Sequence, residues 1–306
     1  IDDSIPGVDL NITGPMVKPL GENLDWVNAS TSFELTGLNT TNVLVRTWDG
    51  AAWTPWNNYS SPLSFSSDIG NATIIIEYQG IGVLLSTPVY NTSYHFDPAH
   101  PTLSYEIEPP RTLPWVNAST GVTLTFDDVG IGIDSTSYRW ISTGAWSDWR
   151  NYNGTFTPES LNELYDGSGT IQARVCDRLG SCTTVEFNIN LDSLKPDFNL
   201  FVDGHLISNW SYVSGFTSLN FTLDEYGSGI DLARWRLSDE NGTGQWNDYL
   251  EPMNLSGYDM GEYSLELEAL DHAGNHQTKL LTLYLVDRIP TASIATSAFE
   301  YDGRFY

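Results

Sequence analysis

Alternating apolar and polar residues open the chain, and the pattern returns about every 95 residues. Val8, Leu10 and Ile12 stand two apart, as do Leu103, Tyr105 and Ile107, and then Phe198, Leu200 and Val202. A period of two places side chains on one face of an extended backbone, so each set predicts a half-buried strand. Each set also follows a punctuation of aspartate and proline: Asp2 to Pro6, Asp97 to Pro101 and Asp192 to Pro196, shortened at Asp287 to Pro290. These prolines lie 95, 95 and 94 residues apart. Periodicity on this scale predicts a repeat architecture, with units at residues 1–97, 98–192 and 193–287. Residues 288–306 read as a linker and the opening strand of a further unit or an assembly tail, because Ala292, Ile294 and Thr296 keep the alternation.

Further landmarks recur in register. Trp26-Val-Asn-Ala-Ser-Thr31 matches Trp115-Val-Asn-Ala-Ser-Thr120, with a looser counterpart at Tyr212. Each precedes a second alternating stretch, such as Val122, Leu124, Phe126 or Leu219, Phe221, Leu223. Glycine turns, Gly130-Ile-Gly-Ile-Asp134 and Gly227-Ser-Gly-Ile-Asp231, lead to third strands carrying Arg139-Trp140 and Arg234-Trp235; the first unit keeps only Arg46 and Trp48. Late strands, with Ile171, Ala173, Val175 or Leu265, Leu267, Ala269 on one face, end in the tight turns Asp177–Ser181 and Asp271–Asn275. Glycine or asparagine in such turns supplies the positive φ that a hairpin requires. Helix is expected only as a turn or two over 158–165. Short strands in units of nearly 100 residues predict an antiparallel β-sandwich per unit, in preference to a barrel.

Several of these residues together make a recognisable pattern: Ser228-Gly229-Ile230, Arg234-Trp235, Gly244-Gln-Trp246, Asp271-His-Ala-Gly-Asn275 and Asp287-Arg-Ile-Pro290. In this the chain resembles the immunoglobulin-like or fibronectin-III-like repeats strung along large prokaryotic, in particular archaeal, cell-surface proteins. The resemblance implies an all-β chain of three tandem immunoglobulin-like sandwiches plus the first strand of a fourth. It leaves function open among stalk, spacer, lattice part and adhesin. The first unit lacks the Ser-Gly-Ile and Ala-Gly-Asn elements and rests on periodicity, Arg46 and its tryptophans.

Charge narrows the partners. The 306 residues carry 13 Lys and Arg against 39 Asp and Glu, a formal charge of -26. A phosphate backbone needs a basic footprint, so nucleic acid is excluded as a partner. Hydrophobic residues make up 40% and aromatics 13%, enough for packed cores. The most apolar stretch, Thr73 to Leu85, is broken by Glu77, Gln79, Gly80 and Gly82, so no membrane span is expected. The chain begins with Ile and reads as a processed or excised piece.

Candidate chemistry is sparse. Cys176 and Cys182 bracket a predicted hairpin turn, where a disulfide is expected and two free thiols are the alternative. Asn-x-Ser/Thr occurs at Asn11, Asn28, Asn39, Asn58, Asn71, Asn91, Asn117, Asn153, Asn209, Asn220, Asn241 and Asn254. Chance would place about four, so N-linked glycans on an extracellular, cell-surface chain are expected. Asp127, Asp128 and Asp134 match Asp224, Glu225 and Asp231 around the glycine turns, a candidate set of hard oxygen ligands for calcium; solvated acids are the alternative. Asp97, Asp192 and Asp287 sit where neighbouring sandwiches would meet.

Tryptophans recur as Trp53-x-x-Trp56 and Trp146-x-x-Trp149, with Trp246 as a shortened copy. A sugar-binding platform wants them on one face, whereas a spacing of three sends strand residues to different faces, so packing is the expected role. Trp140 and Trp235 are expected in the core, with Arg46, Arg139 and Arg234 on the opposite face beside recurring acids. His95, His100, His205, His272 and His276 form no catalytic or metal constellation, and no nucleophile elbow or phosphate loop occurs, so no enzyme activity and no other cofactor is expected. The reading is a glycosylated extracellular structural protein of a surface layer, stalk or filament. Its partners would be other copies or neighbouring domains of a longer surface protein. The alternative is an adhesin or carbohydrate-binding module using the tryptophan hairpins on glycans.

Overall fold

The computed structural model describes residues 5–108, 114–202, 204–207, 209, 211–214, 219–224, 227–249, 253, 255–287, 300–301 and 304–305. Its regular structure is nearly all β, with sheets facing one another in sandwiches. At the N-terminus β1 (Gly7–Thr13) pairs antiparallel with β4 (Ser32–Leu38), Leu10 facing Leu35 and Ile12 facing Phe33. Opposite lies a sheet ordered β2 (Met16–Val17), β3 (Asp25–Val27), β8 (Tyr90–Phe96), β7 (Ala72–Ile81), β5 (Asn42–Trp48), β6 (Asn57–Asn58). Only β3 and β8 run parallel in it. Val8, Phe33 and Leu35 from one sheet close on Val43, Val45, Ile74, Ile76 and Phe96 from the other. Alternation thus became two inner faces, as predicted.

The pairing recurs downstream. β9 (Thr102–Glu108) pairs with β11 (Gly121–Asp127), and β12 (Ile133–Ile141) lies between β13 (Arg150–Asn151) and β14 (Gly167–Asp177), beyond which comes β15 (Cys182–Leu191). β10 (Trp115–Val116) runs parallel to the last two residues of β15. Farther on, β16 (Asp197–Val202) is flanked by β17 (His205–Leu206) and β19 (Leu219–Asp224). Its facing sheet is ordered β18 (Ser211–Ser214), β24 (His276–Val286), β23 (Gly261–Asp271), β20 (Ile230–Asp239), β21 (Gly242–Thr243), with β22 (Asn247–Asp248) also on β20. Phe198, Leu200, Leu219 and Phe221 pack there on Trp235, Leu237, Leu265, Leu267 and Leu283.

By proximity the chain divides into two compact units: Ile1–Pro109 with Thr120–Leu164 and Ser168–Ile189, and Pro110–Ser119 with Tyr165–Gly167 and Asn190–Tyr306. Helix is limited to two 3-10 turns. Pro158–Ser160 falls in the expected place as a single turn, and Ser67–Ile69, capped by Ser66, had no predicted counterpart. The expected opening strand at Ala292, Ile294 and Thr296 lies outside the described residues, after which β25 (Glu300–Tyr301) pairs with β26 (Arg304–Phe305). No helix among the described residues is long and apolar enough to cross a membrane.

Candidate functional site

The residues the structure works hardest to place are linker aspartates. Asp97 follows the last residue of β8, and its backbone N–H donates to Val27 O at 2.9 Å. The side chain is fully buried. One oxygen, Oδ2, accepts the N–H of Ile131 at 2.8 Å, and Oδ1 accepts that of Ala99 at 3.2 Å. Gly130 makes this approach feasible, because a Cβ there would lie 1.7 Å from Oδ2. Asp192 repeats the arrangement after β15: its N–H donates to Val116 O at 2.9 Å, Oδ2 accepts from Ser228 N at 2.8 Å, and Oδ1 accepts from Leu194 N at 3.2 Å. A Cβ on Gly227 would lie 2.5 Å from its Oδ2. A glycine with positive φ then follows in each turn, Gly132 at 91° and Gly229 at 86°. The socket is therefore Gly-x-Gly: the first glycine leaves room, the middle residue offers its N–H, and the last turns the chain into β12 or β20.

The late hairpin turn closes each socket differently. Asn275 donates its Nδ2 to Asp192 O and to Asp271 Oδ2, both at 2.8 Å, while its N–H donates to Asp271 Oδ1. Ser181 stands at the matching place and donates only its N–H to Asp177 Oδ1, leaving the buried Asp177 Oδ2 without a partner. Burial raises the Asp97 carboxyl above its ordinary 3.8; the amides of Ile131 and Ala99 oppose this, and nearby Asp128 and Asp177 add to it.

The calcium candidates do not converge. Asp128 Oδ2 accepts the N–H of Gly132 at 2.6 Å, Asp127 and Asp134 are exposed, and Asp231 faces His272 Nδ1 at 3.6 Å. Among the described residues no three His, Cys, Asp or Glu side chains are arranged to hold a metal ion. Glu225 and the side chain of Asp224 lie outside the description.

The tryptophans depart from the expected geometry. Trp53 and Trp56 lie outside regular strand, so strand alternation does not govern them. Both rings take the Arg46 guanidinium, at 4.5 and 5.0 Å from their centroids. Trp146 and Trp149 take Arg139 in the same way, at 4.7 and 4.6 Å, and Arg174 covers Trp149 at 4.3 Å. Arg234 and Arg236 share Trp246, at 4.6 and 4.4 Å. These are cation–π ladders across the outer face of each sheet. The arginines also meet the expected acids in two cases, Arg46 with Glu77 at 2.6 Å and Arg234 with Glu268, whereas Arg139 Nε donates to neutral Gln172. Trp140 and Trp235 are buried, and Trp140 Nε1 donates to Asn162 O at 2.7 Å. Of the histidines, His276 meets Glu268 at 2.7 Å and His95 packs on Trp26 with the rings tilted by 39°.

Cys176 and Cys182 are joined in a disulfide. The sequons divide by burial. Asn11, Asn39, Asn58, Asn71, Asn91, Asn153, Asn209 and Asn241 are exposed, Asn117 and Asn220 are half-buried, and Asn254 lies outside the described residues. Asn28 is buried: its Oδ1 accepts Ser30 N–H at 2.9 Å and its Nδ2 donates to Ser181 Oγ at 3.3 Å. Asn117 makes the same short turn with Ser119.

No family model and no curated protein sequence matches the chain. Among solved structures, it is similar to part of a 1.5-MDa bacterial ice-binding adhesin, with 12% identity over 94% of this chain and 99% of that one and a TM-score of 0.35. It is also similar to three N-terminal domains of the Hoc outer capsid protein of bacteriophage RB49, with 11% identity, 91% and 99% coverage and a TM-score of 0.42. A tetra-tandem repeat from the extending region of a large adhesion protein shows 15% identity, 92% and 75% coverage and a TM-score of 0.33.

Proposed function

We propose that this chain is a structural segment of a glycosylated extracellular protein, three sandwich domains at 1–97, 98–192 and 193–287 that hold distance and shape in a surface layer, stalk or filament. The observation that carries the reading is the twice-built junction, in which a buried linker aspartate plugs the glycine turn of the next repeat. A flexible tether would leave such carboxylates in water; a spacer that must keep its shape desolvates them against backbone N–H groups. The tryptophan ladders favour the same reading over the carbohydrate-binding alternative, because the ring faces that would stack on sugar are held against arginine. Eight exposed sequons and the net charge of -26 suit a densely solvated exterior. Electron microscopy of the native source tests the proposal: a protein arrayed on, or extending from, the cell surface is expected, and a dispersed soluble protein would overturn it.

A further inference from the structure

We propose that Asp287 is a docking carboxylate for a further β-sandwich that presents an unoccupied Gly-x-Gly turn. This rests on the spacer reading and deepens it by naming the chemistry of the partner. Three features place Asp287 with Asp97 and Asp192. Each directly follows the long last strand of a sheet, β8, β15 or β24. In each case a short strand runs parallel alongside that end, with Val27 opposite Phe96, Val116 opposite Leu191 and Ser214 opposite Val286. A proline follows in all three. The difference is occupancy: Asp97 and Asp192 are buried in sockets, whereas Asp287 is exposed, and no hydrogen bond or ion pair engages its side chain among the described residues.

The partner's chemistry follows from the two filled sockets. It must offer a glycine with open space where a Cβ would stand, then an N–H aimed at that space, then a glycine at positive φ. Among its described residues, a second copy of this chain offers no such turn unoccupied. Its sockets at Gly130–Gly132 and Gly227–Gly229 are taken by its own linkers. The matching connection in its first repeat is Asn39–Thr41, without glycine. Of its other Gly-x-Gly segments, Gly80–Gly82 is filled from within, since a Cβ on Gly80 would lie 2.8 Å from the side chains of both Thr40 and Val8, and Gly167–Gly169 and Gly242–Gly244 have positive φ at the first glycine and not at the last. The occupant is thus a different sandwich of the second- or third-repeat type, joined in cis or supplied by another protein.

Hydrogen exchange tests this in the intact chain and in one where a further copy of residues 193–287 replaces 288–306. In the intact chain, D192A is expected to speed exchange at the Ser228 N–H on the order of tenfold, with D192N, which keeps an acceptor, doing less; D287A should leave the exchange map unchanged. In the extended chain the added copy's counterpart of Ser228 is expected to be protected, and D287A to speed its exchange by a similar factor. An added sandwich that folds but whose turn amide exchanges alike with and without the Asp287 carboxylate overturns the proposal. Because the assay needs no assembled surface, its failure is separate from failure of the spacer reading, which microscopy decides.

Discussion

A buried carboxylate sits in a glycine turn only because the turn has no side chain to exclude it. Gly130→Ala would drive a Cβ into the Asp97 carboxylate, and the linker or the turn must move. The expected cost is roughly 2–3 kcal/mol, read as a lower denaturation midpoint with unchanged slope; an alanine variant as stable as the parent would show that the carboxylate is not held there. Glu268 lies at the opposite electrostatic extreme. The hydrogen bond from Arg234 first, and then that from His276, hold its carboxyl below its ordinary 4.5. A depressed folded pKa contributes stability that is present above the unfolded value and is lost as pH falls through the folded one. Glu268→Gln should therefore unfold at lower temperature than the parent near neutrality, with the gap closing as acid titrates the parent's carboxylate. A gap of constant size from pH 7 to the acid limb would remove the ion pair from the account. Asp97 has the reverse sign: its pKa is raised, so its contribution to stability falls as pH rises from the unfolded pKa through the folded one.

Among elements, the hairpin between β14 and β15 shows what a covalent link adds to a turn that already forms. Asp177 accepts the Ser181 N–H, and Asp271 accepts the Asn275 N–H in the equivalent turn without any cysteine. Closing a loop this small removes only about 2 kcal/mol of unfolded-state entropy. Replacing both cysteines by serine should lower stability by about that amount and leave the turn's amide protection in place; loss of the whole sheet would mean that the bond, and not the turn, shapes the hairpin. The ladder on β12 is a second element-scale device. Trp149 lies between Arg139 and Arg174, two residues that β12 and β14 place on one face. Trp149→Leu should cost about 1–2 kcal/mol through loss of both stacks, and Arg174→Ala in that background should then cost little, a coupling that a double-mutant cycle measures.

For the molecule as a whole, the net charge of -26 keeps neighbouring chains apart in solution, and on the proposed reading glycans would extend the same effect. Glycopeptide mass spectrometry of the native protein should find exposed sites such as Asn71 and Asn153 modified and Asn28 bare, because its amide is already buried against Ser181. A glycan on Asn28 would require that turn to open. Stiffness is expected to come from the linker aspartates and not from calcium: chelation should leave both the melting temperature and the small-angle scattering profile unchanged, and a drop in either would place metal ligands among the acids after all.

Period-two alternation, the 95-residue spacing of prolines and the placement of two cysteines around a turn are local properties. Strand faces, the two-sheet sandwich and the hairpin bond follow from them, since a strand's inner face is decided by its own next-but-one neighbours. The opening strands at Val8, Leu103 and Phe198 and the buried Trp140 and Trp235 were legible for that reason, although Tyr105, expected on the same face as Leu103 and Ile107, is exposed and stacks on Phe187. Residues brought together across 33 or 35 positions were not legible in the same way: Asp97 with Gly130, Asp192 with Gly227. The sequence marks the aspartate and the glycine turn separately, and only folding shows that one fills the space the other leaves. The tryptophan pairs illustrate the same boundary, because their common face depends on a loop crossing back over Arg46 or Arg139 and not on strand geometry. Burial at Asn28 likewise came from contact with Ser181, 153 residues away. Pattern along the chain determined which faces are apolar; tertiary structure decided which polar groups lost their water, because desolvation is a property of what lies across the gap.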